Sequence, residues 1–133
     1  MPHVGKCLCG AVTITIKSTH TEQIACHCTD CQHTSGSTNS LNIVPKLEDV
    51  TFEGPVKEYG SKGGSGYTVV RKFCEVCGSS LSHGSEALEG AIAIHTGNFP
   101  EDFKTVPFAA EIFVKDKFTA LPPVPGSGQK ETS

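Results

Sequence analysis

Val12, Ile14 and Ile16 alternate with Thr13 and Thr15, the two-residue period of a strand with one buried face. The same period recurs, less regularly, along the chain. Residues 24–26 read as a short extended piece. Residues 41–44 read as a strand that Pro45 stops, because proline has no N–H to give a ladder. Extended segments are predicted at 56–59 and 67–73, joined by a flexible glycine- and serine-rich connection over 60–66. Further strands are expected at 79–83, 91–95 and 110–114. Residues 34–39 read as loop, and 45–50 and 100–103 each leave room for a helical turn. No internal repeat or second domain is visible. The pattern predicts one mainly β domain of short antiparallel strands over 1–120. The Pro-, Gly- and Ser-rich end, 121–133, is expected to be a disordered tail.

Composition sharpens this picture in two ways. Hydrophobic residues make up 37% of 133 positions, but only 7% are aromatic and none is Trp, so the core must come mainly from Val, Ile, Leu and Ala. A formal charge of −3 and a pI near 6.0 give no electrostatic reason to expect nucleic acid or an anionic membrane as partner. No run approaches the ~20 apolar residues of a membrane span. The start, Met1-Pro2-His3-Val4-Gly5-Lys6, lacks the apolar centre of a secretory signal. The cytoplasm is the expected location. Seven cysteines then sit in a reducing compartment where structural disulfides are rare, and an odd number leaves one unpaired. Metal binding is the better reading.

The cysteines fall into three groups: Cys7 with Cys9; Cys26, Cys28 and Cys31; and Cys74 with Cys77. Side chains two apart on an extended segment share a face, so Cys7 and Cys9 can present two thiolates to one ion. Cys74-Glu75-Val76-Cys77-Gly78 has the form of a zinc knuckle, with Gly78 suited to a positive φ. Together the two pairs make a complete tetrahedral shell for structural zinc. The middle cluster offers three thiolates from one short loop, leaving a fourth position for water or substrate, as in catalytic zinc sites. His27 or His33 could instead close that shell. Wedged between two thiolates, His27 is expected to point away and serve packing or an outer contact. Zinc held by three thiolates is a weak Lewis acid suited to soft sulfur ligands, which points to thiol chemistry.

Weaker candidates surround these groups. His83, His95 and Glu111 lie on or beside predicted strands and could line the open site, although a hydrogen-bonded structural role is the plainer reading. Asp30 and His33 could carry protons, or merely brace the loop. Lys57, Lys62, Arg71 and Lys72 read as a solvated face.

The motifs Gly5-Lys6-Cys7-Leu8-Cys9-Gly10-Ala11-Val12, Cys26-His27-Cys28-Thr29-Asp30-Cys31 and Phe73-Cys74-Glu75-Val76-Cys77-Gly78, in that order and spacing, resemble the glutathione-dependent formaldehyde-activating enzyme family. Its members are also called S-(hydroxymethyl)glutathione synthases and include the centromere protein V relatives. The resemblance spans Gly5 to about Lys117. It implies a small single-domain β-tent fold and two zinc ions, with Cys7, Cys9, Cys74 and Cys77 on the structural ion. Cys26, Cys28 and Cys31 would hold the catalytic one. The implied reaction joins a thiol such as glutathione to formaldehyde, or parts them, as a carbon–sulfur lyase. The chain departs from the family pattern at Gln32, where Arg is common, at Glu111, where His is common, and in lacking a Trp after that strand. These changes predict an altered hold on a substrate carboxylate. Two other functions fit the motifs: a non-catalytic zinc module that binds protein or nucleic acid, and a thiol-modifying enzyme of a specialised biosynthetic pathway. Oligomeric state is not encoded in any motif.

Overall fold

The computed structural model of the protein describes residues 3–133. In chain order its strands are β1 (His3–Lys6), β2 (Thr13–Ile16), β3 (Gln23–Cys26), β4 (Ser40–Ile43), β5 (Val50–Glu53) and β6 (Val56–Lys62). They continue with β7 (Thr68–Cys74), β8 (Ser80–Gly84), β9 (Ala93–His95), β10 (Phe108–Ile112) and β11 (Gly128–Gln129). Two short helices, α1 (Thr29–Ser35) and α2 (Pro100–Phe103), interrupt them. The domain is mainly β, as the alternation predicts. No helix among the described residues is long and apolar enough to cross a membrane.

The strands form two sheets, β1-β2-β5 and β11-β10-β3-β4-β9-β8-β7-β6. In the smaller sheet β2 is central. Ile14 and Ile16 on its buried face, with Val12 just before it, are fully enclosed. They join one core with Ile43, Leu81, Ile92 and Ile94, closed at one end by Phe99 and Phe103 in an edge-to-face contact. Each such side chain contributes about 1.5–3 kcal/mol by leaving water. Val, Ile and Leu, not aromatics, supply most of this core, as the composition requires.

Register decides what the large sheet offers on each face, because directly paired antiparallel residues project to the same side. Ile43 pairs with Ile94, and Ile94 with Ser82, which puts this row on the core side. The neighbouring register runs from Tyr59 to Arg71, His83 and Ala93. It continues through His95, two residues along β9, to Asn42. Ser40 and Cys26 pair with each other at the end of the same face. One face is therefore apolar, and the other carries a polar row that ends at a cysteine.

Several expectations are corrected. The sheet is not wholly antiparallel: β10 runs parallel to both β3 and β11. Strands β1 and β5 were not predicted, since each alone is too short to show a period. Part of the predicted loop at 34–39 is the last turn of α1, which ends where Gly36 takes φ 61°.

The segment beyond Leu121, expected to be disordered, lies instead against β10. Glu111 is 2% exposed, and a buried carboxylate must find donors. Val124 N–H and the Gln129 amide donate to its Oε2 at 2.9 and 2.7 Å. The Lys130 N–H donates to its backbone oxygen at 2.9 Å. Low apolar content argued for disorder, but polar contacts to one buried acid hold this placement.

Two outcomes follow. Gly54 sits at φ 118°, and a β-carbon added there would collide with the Ala11 carbonyl and meet the Val12 α-carbon, so a side chain meets both strain and backbone. Gly54→Ala should lower stability by about 1–3 kcal/mol, read as a drop in Tm of several degrees with metal content unchanged. Burial pushes the Glu111 carboxyl up, but its bonds to Gln129, Val124, His27 and Lys117 more than offset this and hold it at about 2, against an ordinary 4.5. The stability this contributes is complete above about pH 4.5 and is lost as pH falls toward 2. Glu111→Gln should lower Tm at neutral pH and flatten the pH dependence of Tm across that window, measured by thermal melts.

Candidate metal centres

None of the seven cysteines is in a disulfide, and the fold gathers them into two clusters. The sulfurs of Cys7, Cys9, Cys74 and Cys77 all lie within 4.8 Å of one another. Each pair arrives on a tight turn built the same way. The Gly10 N–H donates to the Cys7 carbonyl at 3.0 Å, and the Gly78 N–H to the Cys74 carbonyl at 2.9 Å. Gly10 and Gly78 take φ of 80° and 78°, the left-handed geometry that favours glycine. Backbone N–H groups then point at sulfur: Val12 to Cys7 at 3.3 Å, Ala11 to Cys9 at 3.4 Å, and Val76 to Cys74 at 3.4 Å. Such bonds favour thiolates over thiols. The Ser79 hydroxyl, 3.1 Å from Cys77, and the Ser79 N–H bring that thiol down to about 5.

Sulfurs at the corners of a tetrahedron with ~2.3 Å metal–sulfur bonds stand about 3.8 Å apart. The Cys7–Cys9 and Cys9–Cys74 separations are 3.6 and 3.8 Å. The donor set and its spacing fit a four-coordinate metal ion with no position left over.

The second cluster holds Cys26, Cys28 and Cys31, also within 4.8 Å. Cys26 ends β3, and Cys28 caps α1, accepting from the Cys31 N–H at 3.3 Å. Cys26 and Cys31 are buried while Cys28 is partly exposed, so the cluster opens on the Cys28 side. Hydrogen bonds from Cys26 and Cys31 hold Cys28 at about 2, and bonding to Cys28 and Cys31 pushes Cys26 far above the ordinary thiol range. Three thiols this close cannot all lose protons unless a cation balances them. A divalent ion would do so, with three protein ligands and one open position.

On the sheet face that ends at Cys26 stand two histidines. His83 Nδ1 and His95 Nε2 are 3.0 Å apart, and His95 Nδ1 lies 2.9 Å from the Ser80 hydroxyl. Burial lowers both: His83 to about 4, helped by the Arg71 charge, and His95 to about 3, helped by His83. Both imidazoles are neutral near pH 7. Cys28 and His83 feel each other's charge, the thiolate raising the imidazole and the imidazole lowering the thiol. His83, read as a weaker candidate, is therefore within electrostatic reach of the three-thiol cluster, and His95 contacts it.

His27 is turned away from the sulfurs. Its Nε2 is 2.8 Å from Glu111 Oε1, and Lys117 Nζ approaches the same oxygen at 3.3 Å. Glu111 thus braces the cysteine loop from behind and does not line the opening. Gln32 is also a brace, its amide donating to the carbonyls of His27 at 3.0 Å and Asp116 at 2.8 Å. Asp30 and His33 lie outside both sulfur clusters.

Sequence reasoning missed Ser40, Asn42 and Ser80, and placed Arg71 on a solvated face. Arg71 is only partly exposed and its Nε is buried. Alternation could have paired Arg71 with a strand face. Nothing local could show that His83 and His95 share that face. Two surface clefts, of about 570 and 300 Å³, are lined by no cysteine.

A family model described as glutathione-dependent formaldehyde-activating enzyme matches residues 2–116. No curated protein matches the chain. Among solved structures the chain is similar to a crystal structure of a Rhodobacter sphaeroides protein, a structural-genomics target. The two share 21% identity over 79% of this chain and 98% of that one, with a TM-score of 0.60, a likeness of fold. Two sulfur clusters in the family's order, within a match that spans most of the sequence, agree on the assignment: the chain belongs to the glutathione-dependent formaldehyde-activating enzyme family.

Proposed function

We propose that the protein is a zinc-dependent carbon–sulfur lyase that forms or cleaves the adduct of a small thiol, glutathione or a relative, with formaldehyde or another small carbonyl compound. The observation that carries this reading is the three-thiol cluster, open only at Cys28 and bordered there by a neutral histidine pair. Zinc bound to Cys26, Cys28 and Cys31 would supply an open coordination position that favours a substrate thiolate. Cys7, Cys9, Cys74 and Cys77 would hold a second, structural zinc. Seven thiols with no disulfide suit a reducing compartment such as the cytoplasm.

The chain's own groups then manage protons and position. In adduct formation the substrate sulfur attacks the carbonyl carbon, a carbon–sulfur bond forms, and the carbonyl π pair moves to oxygen. The thiol proton must end on that oxygen. His83 has one ring nitrogen engaged with His95, leaving Nε2 to take the proton from sulfur and return it to the alkoxide. His95 and Ser80 hold the His83 ring in orientation. Cleavage runs the same steps in reverse.

Metal content tests the division of ligands. Protein purified without chelator should hold about two zinc ions; elemental analysis that never exceeds one after zinc addition removes the two-site reading. Cys74→Ser breaks the shell that joins distant parts of the chain, so Tm should fall steeply because metal binding and folding are coupled there. Cys28→Ser touches a loop that closes over six residues and gains little from a cross-link. It should stay folded and keep about one zinc. Its turnover of S-hydroxymethyl adducts, followed by formaldehyde release, should fall by at least ~100-fold, beyond the effect of losing an outer-shell partner. Full turnover in Cys28→Ser would overturn the three-thiol mechanism, and no turnover by the zinc-loaded wild type would favour a binding module.

A further inference from the structure

Arg71 is the sole arginine of the chain, and its surroundings are unusual for a guanidinium. Its neighbour Lys72 has an acidic partner, Glu58, at 3.8 Å. Arg71 has no carboxylate in ion-pair contact among the described residues. Among the described residues its one hydrogen bond is a long one, 3.4 Å from Nη1 to the Ser61 hydroxyl. Its Nε is buried with no partner. A guanidinium drawn out of water without a counter-charge is costly, and a sheet surface has no structural need of it.

Its location gives the charge a use. Arg71 pairs directly with His83 across β7 and β8, so the two side chains leave the same face about 4.5–5.5 Å apart. His83 in turn contacts His95, and His83 and the Cys28 thiol lie within electrostatic reach of each other. The guanidinium is thus one strand beyond the proton-handling histidine, on the row that leads to the three sulfurs. Its planar fork matches a carboxylate in a way that an ammonium does not.

We propose that Arg71 is the recognition site for the carboxylate of the thiol substrate, selecting acidic thiols over neutral ones and setting the substrate sulfur toward Cys28. This deepens the lyase reading, on which its substrate class rests. A thiol with a carboxylate on the same small molecule spans the row, its sulfur at the three-thiol cluster and its anion at β7. The role that Gln32 and Glu111 do not fill, because both are committed to bracing the cysteine loop, falls to Arg71. Lys117 is committed to Glu111 and offers no substitute.

The test is a binding experiment that needs no turnover. Zinc-loaded protein is titrated calorimetrically with S-methylglutathione, an unreactive thioether acid, and with its dimethyl ester. The wild type should prefer the acid by about 10- to 100-fold, the worth of a hydrogen bond to a charged group. Arg71→Gln should lose that preference while binding the ester as before. Arg71→Lys, which keeps the charge without the fork, should retain only part of it. Tm and zinc content are measured on each variant. If Arg71→Gln does not fold, the partial loss in Arg71→Lys decides the matter. No acid preference in the wild type, or an undiminished one in the folded variants, overturns the assignment. Should adducts fail to turn over while the acid preference still depends on Arg71, the lyase reading falls and the anion site stands. Turnover with a preference indifferent to Arg71 gives the converse.

Discussion

The approach of the Cys7–Cys9 turn to the Cys74–Cys77 turn is the constraint on which the rest of the structure depends. Cys9 and Cys74 are 65 residues apart in sequence and 3.8 Å apart at sulfur. Cys7 and Cys74 are buried in the same core cluster as Val12 and Ile14, so the contact also docks the small sheet on the large one. Closing a loop of that length costs entropy, and a core with few aromatic side chains has limited apolar area to offset it. A metal held by four thiolates would supply the difference, since binding energy at such a site is folding energy.

With the two sheets docked, the large one is left with unlike faces. The side carrying Ile43 and Ile94 meets the small sheet and must be apolar. The other side is free of that demand, and its row from Arg71 through His83 and His95 to Cys26 is polar. Neighbouring strands hold these groups at fixed spacing, so the histidine pair is set by ladder geometry, not by loops. A site built on strands keeps its positions within a few tenths of an ångström. That is what the proposed proton transfer between substrate sulfur and oxygen would require.

The back of the cysteine loop is maintained separately. His27, Glu111, Lys117, Gln32 and the segment around Val124 and Gln129 form one polar network around the buried Glu111. Among the described residues His27 Nδ1 is its one buried atom without a partner, and the remaining bonds rigidify what the network contacts. The chain's departures from the family pattern at Gln32 and Glu111 fall within this bracing network. They alter how the loop is held, and the cluster's mouth is made by other residues.

Much of the architecture was legible in short-range pattern. Alternation at Val12, Ile14 and Ile16 located β2, Pro45 marked the end of β4, and the spacing of seven cysteines separated a group of four from a group of three. These are local signals, because strand period, turn chemistry and ligand spacing act over a few residues. The parallel pairing of β10 with β3, the docking of residues 121–133 on Glu111, and the place of Arg71 beside His83 were not legible. Each depends on which strands become neighbours, and pairing energy is decided by contacts between residues distant in sequence. The sequence alone determined that sulfur clusters would form. Only the tertiary structure decided which histidines and which cation share a sheet face with Cys26, because such a face is assembled from strands that no local pattern connects.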